Sequence, residues 1–228
     1  MRRYQSLIAL VAGCWLLIIA GLAQAEPQIA GYVTRVRGEV VAETATGRQP
    51  LALGHALHLG SRVITGADAR LEARMKDGTV LTLSERTEFV IQQVAGATPN
   101  SGGSSFDLVK GAFRAITAKT ETGGSGWQGA QSDPPPAAPS WRVRTPVATI
   151  GVRGTELWGG FNLLDAGATT LDVVMLEGKG VYVENASGVT ELKQGGDGTT
   201  VKGAGVAPLP IKVWGEKKLQ AALKTVAW

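Results

Sequence analysis

The sequence predicts an all-β protein, a jelly-roll-like double sheet or β-sandwich with long Gly/Pro-rich loops and one short C-terminal helix. Apolar and charged residues alternate along short runs, as in residues 70–76, where Leu71, Ala73 and Met75 lie between charged neighbours. Glycine is abundant, at 31 of 228 residues, and turn-forming residues separate most of these runs. Helical spacing of apolar residues is found only near the C-terminal end, over residues 211–226.

The predicted strands follow one another closely enough to form one β domain over residues 26–200. Asp77-Gly78, between two alternating runs, predicts a two-residue hairpin. Residues 119–140 are rich in Gly and Pro and lack periodicity, so we predict a flexible insertion within this domain. Residues 201–228 form a tail that carries the helix. The strands are predicted at residues 32–36, 39–43, 61–65, 70–76, 79–83, 87–91, 106–109, 112–118, 141–144, 156–161, 170–176, 181–184 and 189–193.

The first 25 residues have the three parts of a secretory signal peptide. Arg2 and Arg3 provide the positive start, residues 7–23 are uncharged and mostly apolar, and small residues precede a cleavage point after Ala25. We therefore expect a periplasmic or secreted protein without stable membrane insertion after cleavage. An uncleaved membrane anchor and lipid attachment at Cys14 are the two alternatives.

Composition argues against several classes of partner and chemistry. The formal charge is +4, from 23 Lys and Arg against 19 Asp and Glu, which is too near balance to predict nucleic-acid binding. One cysteine and two histidines leave little material for a disulfide framework or a metal cage. We expect no cofactor, no metal site and no enzymatic activity.

A weak internal repeat links two distant parts of the chain. Residues 40–47 read VVAETATG and residues 181–188 read VYVENASG. Each copy indicates a strand, a turn and a second strand. Two copies are too few to predict a solenoid, so we interpret them as equivalent strand pairs in two halves of one fold.

Residues 141–156 form the most distinctive segment. Its first residues predict a strand that ends at Thr145, because Pro146 has no N–H to donate. Gly151 and Gly154 bracket Val152-Arg153 and predict a tight turn, with a second strand starting at Thr155.

This segment resembles the signature of the FecR family of bacterial cell-envelope proteins. The matching residues are Thr145, Pro146, Ala148, Val152, Arg153, Gly154 and Thr155, and the likeness extends on both sides to cover about residues 29–196. The resemblance implies an all-β periplasmic domain, and its best-known members relay signals from an outer-membrane transporter to a sigma factor. Only about six residues precede Leu7, so we expect a stand-alone exported member that lacks a cytoplasmic anti-sigma segment.

We accordingly expect a non-catalytic interaction module in the cell envelope, within a signalling or sensing system, whose partner is a periplasmic or envelope protein. The alternative is a protein that binds or acts on cell-wall or exopolysaccharide glycans. We interpret the signature residues as structural. Arg142, Arg144 and Trp158 are a candidate binding patch, since arginines can bind over an aromatic ring.

Three patterns resemble catalytic or cofactor motifs. Residues 124–129 match G-x-G-x-x-G, but no strand–helix context surrounds them. His55 and His58 lack a third ligand cluster nearby. Asp77, Glu85 and Glu88 fit the exposed face of a strand better than a pair of catalytic carboxylates.

Overall fold

Most of the described chain is β-strand, which confirms the all-β class. The computed structural model describes residues 27–98, 101–117, 141–164 and 169–228. The predicted signal peptide, its cleavage point at Ala25, Cys14 and the predicted insertion at 119–140 lie outside these residues. Within them the strands are β1 (Ile29–Arg37), β2 (Val40–Thr44), β3 (Gly47–Pro50), β4 (Ala56–His58), β5 (Arg62–Thr65), β6 (Arg70–Met75), β7 (Val80–Leu83), β8 (Glu88–Gln93), β9 (Ser104–Lys110), β10 (Ala112–Ile116), β11 (Trp141–Arg144), β12 (Thr149–Phe161), β13 (Leu171–Asn185), β14 (Gly188–Leu192), β15 (Asp197–Val201) and β16 (Lys212–Val213), and the helix is α1 (Glu216–Val226).

Hydrogen bonding joins these strands into one sheet that folds into two facing layers. Layer 1 contains β4, β1, β6, β7 and β10, then the second half of β12, the first half of β13, β15 and β16. Layer 2 contains β3, β2, β5, β8, β9 and β11, then the remaining halves of β12 and β13, and β14. The long strands β12 and β13 therefore belong to both layers.

Aromatic rings from the two layers meet in the core. Phe113 of layer 1 lies 5.8 Å from Phe89 and 6.3 Å from Trp141, both of layer 2, between ring centroids. Phe106, also of layer 2, lies 5.1 Å from Trp141. Alternation in the sequence directs these side chains inward, because successive residues of a strand point to opposite faces.

The β6–β7 hairpin forms where Asp77-Gly78 predicts it, but its loop is one residue longer. The N–H of Met75 donates to the carbonyl of Thr79 at 2.9 Å, which leaves three residues in the loop. Gly78 has a φ of +82°, and the Asp77 carboxylate accepts the N–H of Thr79 at 2.9 Å. A turn closed by an aspartate side chain and followed by a left-handed glycine suits the three-residue hairpin.

The predicted tight turn at Gly151–Gly154 is wrong. Residues on both sides of it belong to the single strand β12, and the two strands predicted at 170–176 and 181–184 likewise join into β13. Gly154, with φ +51°, and Gly178, with φ +125°, lie where both strands bend from one layer to the other, and Gly178 pairs with Thr155. Glycine here permits a bend without ending the strand.

The C-terminal helix is shorter than predicted. It begins at Glu216 rather than residue 211, because Lys212 and Val213 pair with β15 as an added edge strand. Its Ala222 and Val226 are buried against Trp158 on the outer face of layer 1. The helix therefore covers part of a layer that would otherwise expose tryptophan.

The repeated sequence forms two equivalent hairpins. Thr44 pairs with Gly47 in the β2–β3 hairpin, and Asn185 pairs with Gly188 in the β13–β14 hairpin, with two residues between the partners in each case. The two hairpins form the opposite ends of layer 2. The second strand that the repeat predicts after residues 40–47 is β3, whereas β4, β15 and β16 have no counterpart among the predicted strands.

Candidate functional site

The Thr-Pro part of the signature forms the tight turn between β11 and β12. The Thr145 hydroxyl donates to the carbonyl of Ala148 at 2.8 Å and accepts the N–H groups of Ala148, at 3.0 Å, and Val147, at 3.2 Å. The N–H of Thr145 also donates to Ala148 at 2.9 Å. A threonine hydroxyl that satisfies three backbone groups is a turn-forming residue, so the structure uses Thr145 to close this hairpin.

The second part of the signature joins β12 to β13 at the bend. Thr155 is buried, and its hydroxyl lies 2.6 Å from the carbonyl of Arg153 and 3.1 Å from that of Gly180. The same hydroxyl accepts the N–H of Gly180 at 3.2 Å. The N–H of Thr155 donates to the Thr117 hydroxyl at 2.8 Å, which ties the end of β10 to the bend. The Thr155 hydroxyl thus bonds backbone groups near the bend, where regular pairing between β12 and β13 is interrupted.

Glycine is required opposite Thr155. A Cβ atom on Gly178 would lie 2.5 Å from the carbonyl oxygen of Gly154 and 2.5 Å from the Cα of Thr155. Val152, next to the bend, is fully buried in the core between the layers. Three of the signature residues, Val152, Gly154 and Thr155, therefore form the bend and its packing.

Arg153 points to the outer face of layer 2. Its guanidinium carbon lies 5.8 Å from the centre of the Tyr182 ring. A hydrogen bond with Glu191 raises the pKa of Tyr182 above its ordinary value; burial and the charge of Glu191 add to this, and the charge of Arg153 opposes it. Arg153, Tyr182 and Glu191 thus form a row of polar side chains across β12, β13 and β14.

The structure does not bring Arg142, Arg144 and Trp158 together. Arg142 and Arg144 are exposed on layer 2, and Arg144 pairs with Asp107 at 2.8 Å. Trp158 lies farther along β12, in layer 1, and is fully buried below α1. Its Nε1 donates to the hydroxyl of Thr225 at 2.9 Å, and its ring meets that of Trp214 at 6.1 Å. Trp158 therefore anchors the helix.

The carboxylates considered as a possible catalytic pair, those of Asp77, Glu85 and Glu88, instead form hydrogen bonds and ion pairs with neighbouring residues. Glu85 accepts the N–H of Asp68 at 2.8 Å, and Glu88 pairs with Arg62 and Lys110. Asp77 closes its hairpin and accepts the hydroxyl of Ser104. In the described ranges no three His, Cys, Asp or Glu side chains are grouped to hold a metal ion. The G-x-G-x-x-G match at 124–129 lies outside those ranges.

Two features of the structure were missed by the sequence analysis. The buried carboxylate of Asp172 accepts Lys218 at 2.6 Å and the hydroxyl of Thr200 at 2.5 Å, which fixes the start of α1 to layer 1. The outer strand β14 exposes Val189, which is 64% accessible. The burial of Asp172 could not be predicted from the sequence, because alternation of apolar and polar residues assigns a charged residue to the exposed face. The exposed strand β14 could have been located, because it begins at the end of the repeat at residues 181–188.

Comparison with known proteins gives a family and a fold. The family model described as FecR protein matches residues 61–179, more than half of the chain. A crystal structure of "a putative anti-sigma factor" from Parabacteroides distasonis ATCC 8503 is similar, with a TM-score of 0.51 and 16% identity over 71% of this chain. The match spans 64% of that protein's length. A second crystal structure under the same description, also from that organism, gives a TM-score of 0.49 at 16% identity, over 71% of this chain and 63% of that one.

No curated protein matches the chain. Within the described residues, no helix has both the length and the apolar character needed to cross a membrane.

Proposed function

The chain belongs to the FecR family, and from this we propose that it is a non-catalytic, exported interaction module that binds an envelope protein in a bacterial signalling system. The observation that supports the proposal most is that the threonines of the family signature have structural roles. The hydroxyl groups of Thr145 and Thr155 form hydrogen bonds with the backbone, at a turn and at a bend respectively. Such residues make a rigid scaffold, and the surface of a rigid sheet is suited to binding.

Two further features support the proposal. The positive start, apolar run and small residues up to Ala25 are those of an export signal. The similar fold of the Parabacteroides protein, which carries an anti-sigma description, agrees with a signalling role. That likeness concerns the fold, so the signalling role depends on the family assignment.

The test compares the full chain with a version that lacks residues 2–25, each expressed in a strain without the native copy. We expect the full chain in the periplasmic or secreted fraction, with one envelope protein cross-linked to it. The shortened version should stay in the cytosolic fraction and capture no such protein. Full chain retained in the cytosol would contradict the export proposal. Cross-linking to cell-wall glycan instead of protein would contradict the proposed partner.

A further inference from the structure

The outer edge of β14 presents backbone groups that the sheet does not use. In an antiparallel pair every second residue exchanges hydrogen bonds with its partner, and the residues between point their N–H and C=O groups away. The β13–β14 hairpin closes on Asn185 and Gly188, so Val183–Thr190 is the next bonded pair. Val189 and Glu191 therefore direct their backbone groups outward. In the described part of the chain, no backbone hydrogen bond from outside the sheet reaches them.

The opposite end of layer 2 is closed to such pairing. The N–H of Leu51 donates to the carbonyl of Val40 at 2.8 Å. This bond determines which residues of β3 direct their backbone groups toward β2 and which direct them outward. Arg48 and Pro50 are consequently the residues of β3 that point outward. Proline has no N–H to offer, and a charged residue beside it is a common protection of edge strands. The two ends of one layer thus differ in their capacity to accept another strand.

Apolar side chains surround the open edge. Val189 lies on the outer face, and the segment 205–209, which we call the strap, runs below β14 on the side of the core. The Asn185 side chain donates to the carbonyl of Val206 at 2.7 Å, and the Thr190 hydroxyl donates to that of Leu209 at 3.3 Å. Val206 is 45% exposed. A strand added beside β14 would cover Val189 with one face and Val206 with the other, and exposed apolar groups of this kind mark binding surfaces.

The charge beside the edge is acidic. Glu191 belongs to β14 itself, and Glu184 lies opposite Val189 on β13. Lys193 pairs with Glu191 at 3.4 Å through exposed side chains, an interaction that a stronger or better-placed cation can replace. A basic residue opposite Glu191 therefore suits an incoming strand.

We propose that β14 accepts an extended segment of a protein partner as an added antiparallel strand, with an apolar residue opposite Val189 and a basic residue opposite Glu191. Main-chain hydrogen bonds would hold the segment and alternate side chains would select it. The inference rests on the proposed function, since it names the surface through which that function's partner binds.

The test uses a capped synthetic peptide, Thr-Val-Arg-Val-Val-Thr, whose arginine falls opposite Glu191 and whose fifth residue falls opposite Val189. Titration into isotope-labelled protein should shift the amide resonances of Val189 and Glu191 and slow their hydrogen exchange. Val189→Pro should weaken peptide binding about tenfold, because it removes one outward N–H. Arg48→Pro is the matched control at the closed edge and should leave binding unchanged.

A charge exchange tests the selection of the peptide. Glu191→Lys should weaken binding of the arginine peptide and strengthen binding of a peptide with glutamate in the arginine position. Equal binding by Val189→Pro and the parent protein, or no binding at millimolar peptide, would overturn the inference. If the envelope protein is still cross-linked equally by Val189→Pro and the parent, the docking inference is overturned while the proposed function stands.

Discussion

The two hairpins at the ends of layer 2 have similar sequences and the same two-residue loop. Both are paired to a neighbouring strand, but among the described residues only the β13–β14 turn has a first residue whose side chain bonds to other segments. In the β2–β3 hairpin, the Thr44 hydroxyl bonds within its own turn, to Thr46 at 2.8 Å, and all of β3 is exposed. In the β13–β14 hairpin, the Asn185 amide reaches the carbonyls of Val147 at 3.2 Å and Val206 at 2.7 Å. The local sequence therefore determines that each segment forms a two-residue hairpin. The Asn185 amide, which is longer than the Thr44 hydroxyl, determines that the β13–β14 hairpin is bonded to other segments.

This attachment connects the hairpin to the family signature. Val147 lies in the turn that Thr145 closes, and Val206 lies in the strap below β14. One asparagine thus holds three segments that are far apart in sequence. The β2–β3 hairpin has no equivalent contact among the described residues, which leaves it as the looser end of the layer.

The largest expected difference is between a glycine at the β12–β13 bend and the glycine that closes the β2–β3 hairpin. Gly178→Ala should destabilise the protein by about 3–5 kcal/mol, because backbone strain at φ +125° adds to a contact of 2.5 Å with Gly154. Gly47→Ala is the matched control, with φ +129° and open space around it, and should cost about 1–3 kcal/mol from strain alone. Urea unfolding measures both. Equal losses would show that the bend between β12 and β13 is not tightly packed.

A smaller difference is expected for the first residue of each turn. Asn185→Ala should cost about 1–3 kcal/mol, because two carbonyl groups and the N–H of Ser187 lose their partner. Thr44→Ala removes hydrogen bonds that are exposed to water and should cost about 0.5 kcal/mol or less. Thermal melts of the two variants test this order. A larger loss for Thr44→Ala would mean that the β2–β3 hairpin is the better anchored end.

Period-two alternation made the strands of this fold predictable, while the long bent strands were not. Residues 70–76 and 141–144 correspond closely to β6 and β11, because a half-buried strand must alternate. The local sequence predicts a turn at Gly151 and Gly154, because glycine allows both a turn and a bend and local sequence does not distinguish them. The deciding contacts, from Thr155 to Gly180 and Thr117, join residues far apart in the chain.

The candidate binding patch also could not be predicted from residues that are close in sequence. Arg142, Arg144 and Trp158 are near one another in sequence, but β12 passes from one layer to the other between them. Trp158 is then covered by a helix that comes more than fifty residues later. The family likeness, in contrast, was recognisable because turn and bend residues retain their order along the chain.

Proline substitution on the outer edge strands should have only a small effect on stability. Val189→Pro and Arg48→Pro each remove an N–H that points away from the sheet, so each should change stability by less than about 1 kcal/mol. Urea unfolding followed by tryptophan fluorescence provides the measurement. A loss of several kcal/mol for Val189→Pro would show that the N–H of Val189 is used within the fold, which would contradict an open edge at β14.

The smallest expected effect is confined to the β13–β14 hairpin, where Tyr182 and Glu191 lie directly opposite; the equivalent pair in the other hairpin is Val41 and Pro50. Because the hydrogen bond with Glu191 raises the pKa of Tyr182, the folded protein keeps this proton more tightly than the unfolded chain. Its stabilising contribution is therefore complete below the ordinary tyrosine pKa of about 10 and is lost as the pH rises through the higher folded value. Glu191→Gln should lower the pKa of Tyr182, as followed by tyrosinate absorbance, and Glu43→Gln in the β2–β3 hairpin should leave it unchanged. An unchanged titration in Glu191→Gln would mean that this side-chain pair does not link β13 to β14.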